Sequence, residues 1–101
     1  MAVNIDELQE HLMPGWGKIA EELKTRLRPW VEGGGRILQV KEKFGSLRVY
    51  THGESTAPFP VLKDLYEQAE KTCIHCGEPG EMTAPRGWII PLCEKHKSGN
   101  P

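Results

Sequence analysis

Residues 73–76 read Cys73-Ile74-His75-Cys76 and, after sixteen intervening residues, residues 93–96 read Cys93-Glu94-Lys95-His96. Two thiols three residues apart can face one centre while the amides between them turn toward the sulfurs. Gly77 then supplies the tight, left-handed backbone such a knuckle needs. Cys93 and His96 repeat the three-residue step, which puts both on one face of a helical turn. Three sulfurs and one imidazole form a donor set suited to tetrahedral zinc. The spacing therefore predicts one structural zinc ion held by Cys73, Cys76, Cys93 and His96, with no position left for an activated water. The competing readings are three ordinary buried cysteines or a redox Cys-x-x-Cys pair. An odd number of cysteines, 3, speaks against a disulfide framework. His75 is the rival fourth ligand, but its place between the knuckle cysteines points it away from the ion, toward solvent or a partner.

Between the ligand pairs, Gly80, Pro85, Gly87 and the run Trp88-Ile89-Ile90 suit a short hairpin. Knuckle, hairpin and a ligand-bearing helix together make a treble-clef-like lobe over residues 73–97, followed by a tail at 98–101. Treble-clef nucleases place a histidine base on that hairpin, and residues 82–92 contain none, so a nuclease reading is weak.

Working upstream, a helix is expected over about residues 60–71, with Pro60 in its first turn and Phe59, Leu62, Leu65, Tyr66 and Ala69 as its buried stripe. Residues 53–60 are rich in turn formers. Before them, Ile37-Leu38-Gln39-Val40-Lys41 and Leu47-Arg48-Val49-Tyr50-Thr51 flank a turn at Lys43-Phe44-Gly45-Ser46, the signature of a β-hairpin. Alternation assigns Leu38, Val40, Leu47 and Val49 to one face and Gln39, Lys41, Lys43, Arg48, Tyr50 and His52 to the other, unless a bulge shifts the register. Asn4 or Asp6 caps a short helix over residues 4–11, and Trp16, Ile19, Ala20, Leu23 and Leu27 form the stripe of a second that Pro29 stops. Gly33-Gly34-Gly35 reads as a flexible connection. Trp16, Trp30 and Trp88 are assigned to the core, with Trp88 half exposed beside the metal lobe. His11 and His52 are assigned to the surface. Phe44 either folds back on the local core or anchors in a partner.

Of the 101 residues, 38% are hydrophobic and 27% charged, so the core is small and a cross-link helps a chain of this size. The net charge of −1 gives the whole molecule no bias toward polyanions, but residues 36–52 carry four basic residues against Glu42 alone. No apolar run approaches the roughly 20 residues of a membrane span. The start MAVNIDELQE lacks a basic, then apolar, leader, so a cytoplasmic location with reduced thiols is expected. No phosphate-cradling Gly-x-x-x-x-Gly-Lys loop is present.

The run from Gln39 to Tyr50, with Cys73-x-x-Cys76-Gly77-x-Pro79-Gly80 and Gly87-Trp88-Ile89-x-x-Leu92-Cys93-x-x-His96, resembles a group of small uncharacterised bacterial and bacteriophage zinc-binding proteins. The resemblance implies the same four zinc ligands and a bacterial or phage source, and carries no activity.

The expectation is thus an α+β fold: residues 1–72 place helices on one face of the hairpin, and the zinc lobe closes one compact unit. Without a nucleophile–base pair or an open metal position, a non-enzymatic binding module for a macromolecule is expected, with a protein partner favoured. Its candidate contact residues are Arg36, Lys41, Lys43, Phe44, Arg48 and Tyr50. For a phage protein this reads as a modulator or inhibitor of a host machine or defence complex. The alternative is a nucleic-acid binder that grips phosphates with the basic hairpin face and stacks a base on Tyr50.

Overall fold

A computed structural model describes residues 2–52, 58–84 and 87–97. It shows an α+β fold in which helices cover one face of a β-hairpin and a Cys/His lobe follows. The loop expected over residues 53–60, the turn-forming role of Pro85 and the tail at 98–101 fall wholly or mainly outside the described residues.

The chain opens with a 3-10 segment, Ile5–His11, started by Asn4, whose side chain accepts the Asp6 amide at 2.8 Å. Ile5 and Leu8 are buried from it. A second 3-10 turn, Pro14–Trp16, leads into α1, Gly17–Glu32. Ile19, Ala20, Leu23 and Leu27 form the buried stripe of α1, as their spacing predicts. Pro29 does not stop this helix. Trp30 and Val31, the next two residues, are partly buried against the core, and their burial offsets the hydrogen bond that proline cannot donate. The Gly33 amide then closes the helix on the Pro29 carbonyl at 3.0 Å. Gly35 is a packing glycine rather than a flexible link, because a Cβ there would overlap the Trp30 indole.

β1 (Arg36–Lys43) and β2 (Ser46–His52) pair antiparallel, with Lys43 opposite Ser46. The two-residue turn puts Phe44 at φ 53° and Gly45 at φ 81°. Positive φ at both positions is the primed turn whose twist matches the strands. The Glu42 carboxylate accepts the Gly45 amide at 2.7 Å and helps hold it.

The pairing passes from Ile37↔Thr51 directly to Gln39↔Tyr50, so Leu38 is the extra residue of a β-bulge. This corrects the expected alternation. Ile37 takes the inward place at 1% exposure, and Leu38 stands outside at 44%. Val40, Leu47 and Val49 face inward as expected.

α2 (Phe59–Glu70) packs along α1 and β2, burying Leu62, Leu65 and Ala69. Phe59, expected in the buried stripe, is instead exposed because it sits at the helix's first position, before the stripe meets the core. The Tyr66 hydroxyl accepts the Val49 amide at 3.2 Å and donates to the Val49 carbonyl at 3.3 Å, capping the outer edge of β2. Arg26 to Asp64 at 2.6 Å joins α1 to α2, and Arg28 to Asp6 at 2.7 Å joins α1 to the first 3-10 segment. The core holds Leu8, Trp16, Leu23, Leu27, Ile37, Leu47 and Leu65 in near-complete burial. No helix among the described residues is long and apolar enough to cross a membrane.

Candidate metal centre

The lobe begins where α2 ends. The Cys73 amide bonds the Glu78 carbonyl at 2.9 Å and the Gly77 amide returns to the Cys73 carbonyl at 3.0 Å, which closes the knuckle. Gly77 has φ 84°, the left-handed backbone expected after the second cysteine. A two-stranded sheet follows, β3 (Glu81–Thr83) against β4 (Ile90–Leu92), with Met82 opposite Pro91. Then comes a single helical turn, α3 (Glu94–Lys97), preceded by Cys93 and carrying His96. Lys97 pairs with Glu81 of β3 and with Glu94, tying that last turn to the hairpin.

Cys73, Cys76, Cys93 and His96 offer ligand atoms that all lie within 4.8 Å of one another. Cys76 Sγ is 3.6 Å from Cys93 Sγ, and His96 Nδ1 is 3.1 Å from Cys93 Sγ and 3.4 Å from Cys73 Sγ. Bond lengths of about 2.3 Å to sulfur and 2.0–2.1 Å to nitrogen give a tetrahedral ion sulfur–sulfur edges of about 3.8 Å and sulfur–nitrogen edges of about 3.5 Å. These three edges lie within about half an ångström of that cage, and the widest separation in the cluster, up to 4.8 Å, must close by about an ångström around an ion. None of the three cysteines is in a disulfide, and 3.6 Å is far beyond an S–S bond. The four residues fit a metal ion.

Their electrostatics ask for a cation. Burial pushes the Cys73 thiol up, but the amides of Cys93, His75 and Cys76 outweigh it and hold the group below its ordinary value. The Glu78 amide pulls Cys76 down, yet burial and the neighbouring sulfurs of Cys93 and Cys73 leave it raised. Thiolates this close repel one another unless a positive ion lies between them.

Cys73 and Cys93 are buried and Cys76 is exposed, so the site opens to solvent on the knuckle side. His75 is exposed and not among the four, as its position predicts. Its ring lies beside that of ligand His96, with centroids 5.0 Å apart and planes at 49°.

One contributor gave no signal in the spacing. Gly15, in the turn between the first 3-10 segment and α1, donates its amide to the Ile74 carbonyl at 2.8 Å. A Cβ on Gly15 would overlap the Cys73 carbonyl oxygen and lie 2.6 Å from Ile74 C and 2.8 Å from Gly77 N. Next to it, the buried Trp16 indole donates to the Thr72 carbonyl at 3.1 Å, one residue before the first ligand. The N-terminal segment is thereby pressed onto the knuckle.

Trp88 corrects another expectation. It is 71% exposed, with Ile89 at 46% and Met82 at 37%, because β3 and β4 are too short to cover their own connection. A Cβ on Gly45 would lie 2.6 Å from Met82 Cε and 2.8 Å from the Ile89 carbonyl oxygen, so the tip of the β1–β2 hairpin touches this lobe. Phe44, beside Gly45, is 61% exposed rather than folded onto the core.

Arg36, Lys41, Lys43, Arg48 and Tyr50 all lie on the outward face of β1–β2, with Lys41 directly opposite Arg48. His11 and His52 are exposed, as expected.

No family model, curated protein or solved structure matches the chain.

Proposed function

We propose that this protein is a non-enzymatic binding module, stapled by one structural zinc ion, that docks a protein partner where the hairpin tip meets the metal lobe. The observation that carries the reading is the apolar junction. Gly45 packs against Met82 and the Ile89 backbone, and Met82, Ile89 and their chain neighbours Phe44 and Trp88 are four of the seven exposed large apolar residues among the described ones. Aromatic anchors mixed with flexible and aliphatic side chains suit a protein surface, where such groups enter pockets and carry most of the binding energy.

Backbone strain supports the same reading. A non-glycine residue at φ 53° costs about 1–2 kcal/mol, and asparagine is the favoured residue there. Keeping a large, exposed phenylalanine in that place makes sense when the ring has a contact to make.

Zinc is assigned from the Cys3His donor set and the closeness of its four donor atoms, in a treble-clef-like lobe. With four protein ligands the ion has no open position and serves folding rather than turnover. Thiolate ligands of this kind belong in a reducing compartment, which supports a cytoplasmic site of action. If the chain comes from a phage, the partner is read as part of a host machine or defence complex, by analogy with what such small proteins do.

The test is cross-linking and capture from the source cell with nuclease present. A partner retained by the wild type and lost from a Phe44→Asn, Trp88→Ala variant that still holds zinc supports the proposal. A partner set unaffected by that variant, or one that disappears with nuclease, contradicts it.

A further inference from the structure

The outward face of the β1–β2 ribbon is a second surface, separate from the apolar junction. Its register brings Lys41 opposite Arg48, Gln39 opposite Tyr50 and Lys43 opposite Ser46, with Arg36 at the far end. Like charges placed directly across an antiparallel pair destabilise it. Among the described residues none of these four cations forms an ion pair, a state shared by Lys18 and Lys71, while Lys24, Arg26, Arg28 and Lys63 on the helical side each reach a carboxylate. Two carboxylates near the ribbon among the described residues are engaged elsewhere. Glu42 holds the Gly45 amide, and Glu70 accepts the Ser46 hydroxyl at 3.0 Å. Tyr50 stands 42% exposed within this field, with the Lys41 ammonium 5.7 Å from its ring centroid.

We infer that this ribbon face binds single-stranded nucleic acid, with Arg36, Lys41, Lys43 and Arg48 taking phosphates and Tyr50 stacking on a base. An anion row relieves the repulsion between Lys41 and Arg48 that the fold leaves unrelieved. Successive outward residues of a strand are about 6.8 Å apart, so Lys41 and Lys43 can follow a flexible backbone from one phosphate to the next. The ring decides the class of ligand. A free base presents a face to Tyr50, while a duplex hides its base faces in the stack.

The test uses the zinc-loaded, full chain and a fluorescent twenty-nucleotide thymidine strand, read by anisotropy. Four phosphate contacts on a single strand predict an affinity that falls about 50-fold between 50 and 200 mM salt. Tyr50→Ala should weaken binding about tenfold, and Lys41→Glu with Arg48→Glu should abolish it while zinc content and circular dichroism stay unchanged. The inference is overturned by no binding at 50 mM salt or by full binding of the charge-reversed variant. It is equally overturned by an unaltered Tyr50→Ala affinity, by equal affinity for the matching duplex, or by equal displacement with poly-glutamate. Met82, Trp88 and Ile89 are not part of this face, so failure here leaves the protein-docking proposal standing.

Discussion

Gly15 lies against Cys73 so closely that a single added methyl group on Gly15 would overlap the Cys73 carbonyl oxygen. The contact joins two parts of the chain more than fifty residues apart and sets a backbone against the first residue of the candidate metal site. Gly15→Ala is therefore expected to destabilise the protein by about 1–3 kcal/mol through overpacking. Because the knuckle is what must move, zinc affinity should fall with it. Competition with a colorimetric chelator measures that fall, and Gly17→Ala, whose added carbon meets only the flexible Gln9 side chain at 3.2 Å, is the control.

Phe44→Asn should raise stability by about 1 kcal/mol. Asparagine tolerates the φ of 53° and recreates the favoured Asn-Gly turn with Gly45. For a domain of this size the thermal midpoint should rise by about 4–8 °C. The same substitution should weaken capture of the protein partner. A gain in stability with a loss of binding marks a residue kept for contact rather than for folding.

Arg48→Glu turns a like-charge cross-strand pair with Lys41 into an opposite-charge pair. Stability should rise by a few tenths of a kcal/mol, up to about 1. The gain should shrink in high salt, which urea unfolding at two ionic strengths can read.

The Arg26 guanidinium beside Asp64 holds that carboxyl below its ordinary value of 3.8, against a smaller opposing effect of burial, with Gln68 helping. A depressed folded-state pKa stabilises the protein above the unfolded value, and that stabilisation is lost as pH falls through the folded pKa. Asp64→Asn should therefore lower the urea midpoint at pH 6, and the difference from the wild type should shrink as pH falls below the ordinary carboxylate value. The pair is exposed, so the difference should be modest and salt-sensitive.

The candidate metal ligands were legible because coordination chemistry writes itself as short, local spacings. Cys73-x-x-Cys76 and Cys93-x-x-His96 each fit one turn of backbone, and the four donors meet as expected. The helical stripe of α1 was legible for the same reason. What escaped the sequence was decided at a distance. Nothing near Gly15 announces that Cys73 will arrive beside it. The Leu38 bulge depends on which of two neighbouring apolar residues the helices cover, and Ile37 won. Pro29 carries a strong local stop signal, yet Trp30 and Val31 gain enough from the core to carry α1 past it. Trp88 looked like a core residue by type, but two three-residue strands leave no surface to bury it.

The most direct test of the central claim is the metal content of the purified protein, determined by native mass spectrometry beside elemental analysis. One zinc per chain is expected in the wild type and none in Cys76→Ser, whose lobe should lose its ordered structure together with the ion. A folded wild-type protein that carries no stoichiometric zinc, and binds none when it is supplied, would contradict the zinc staple and the protein-docking site built on its lobe.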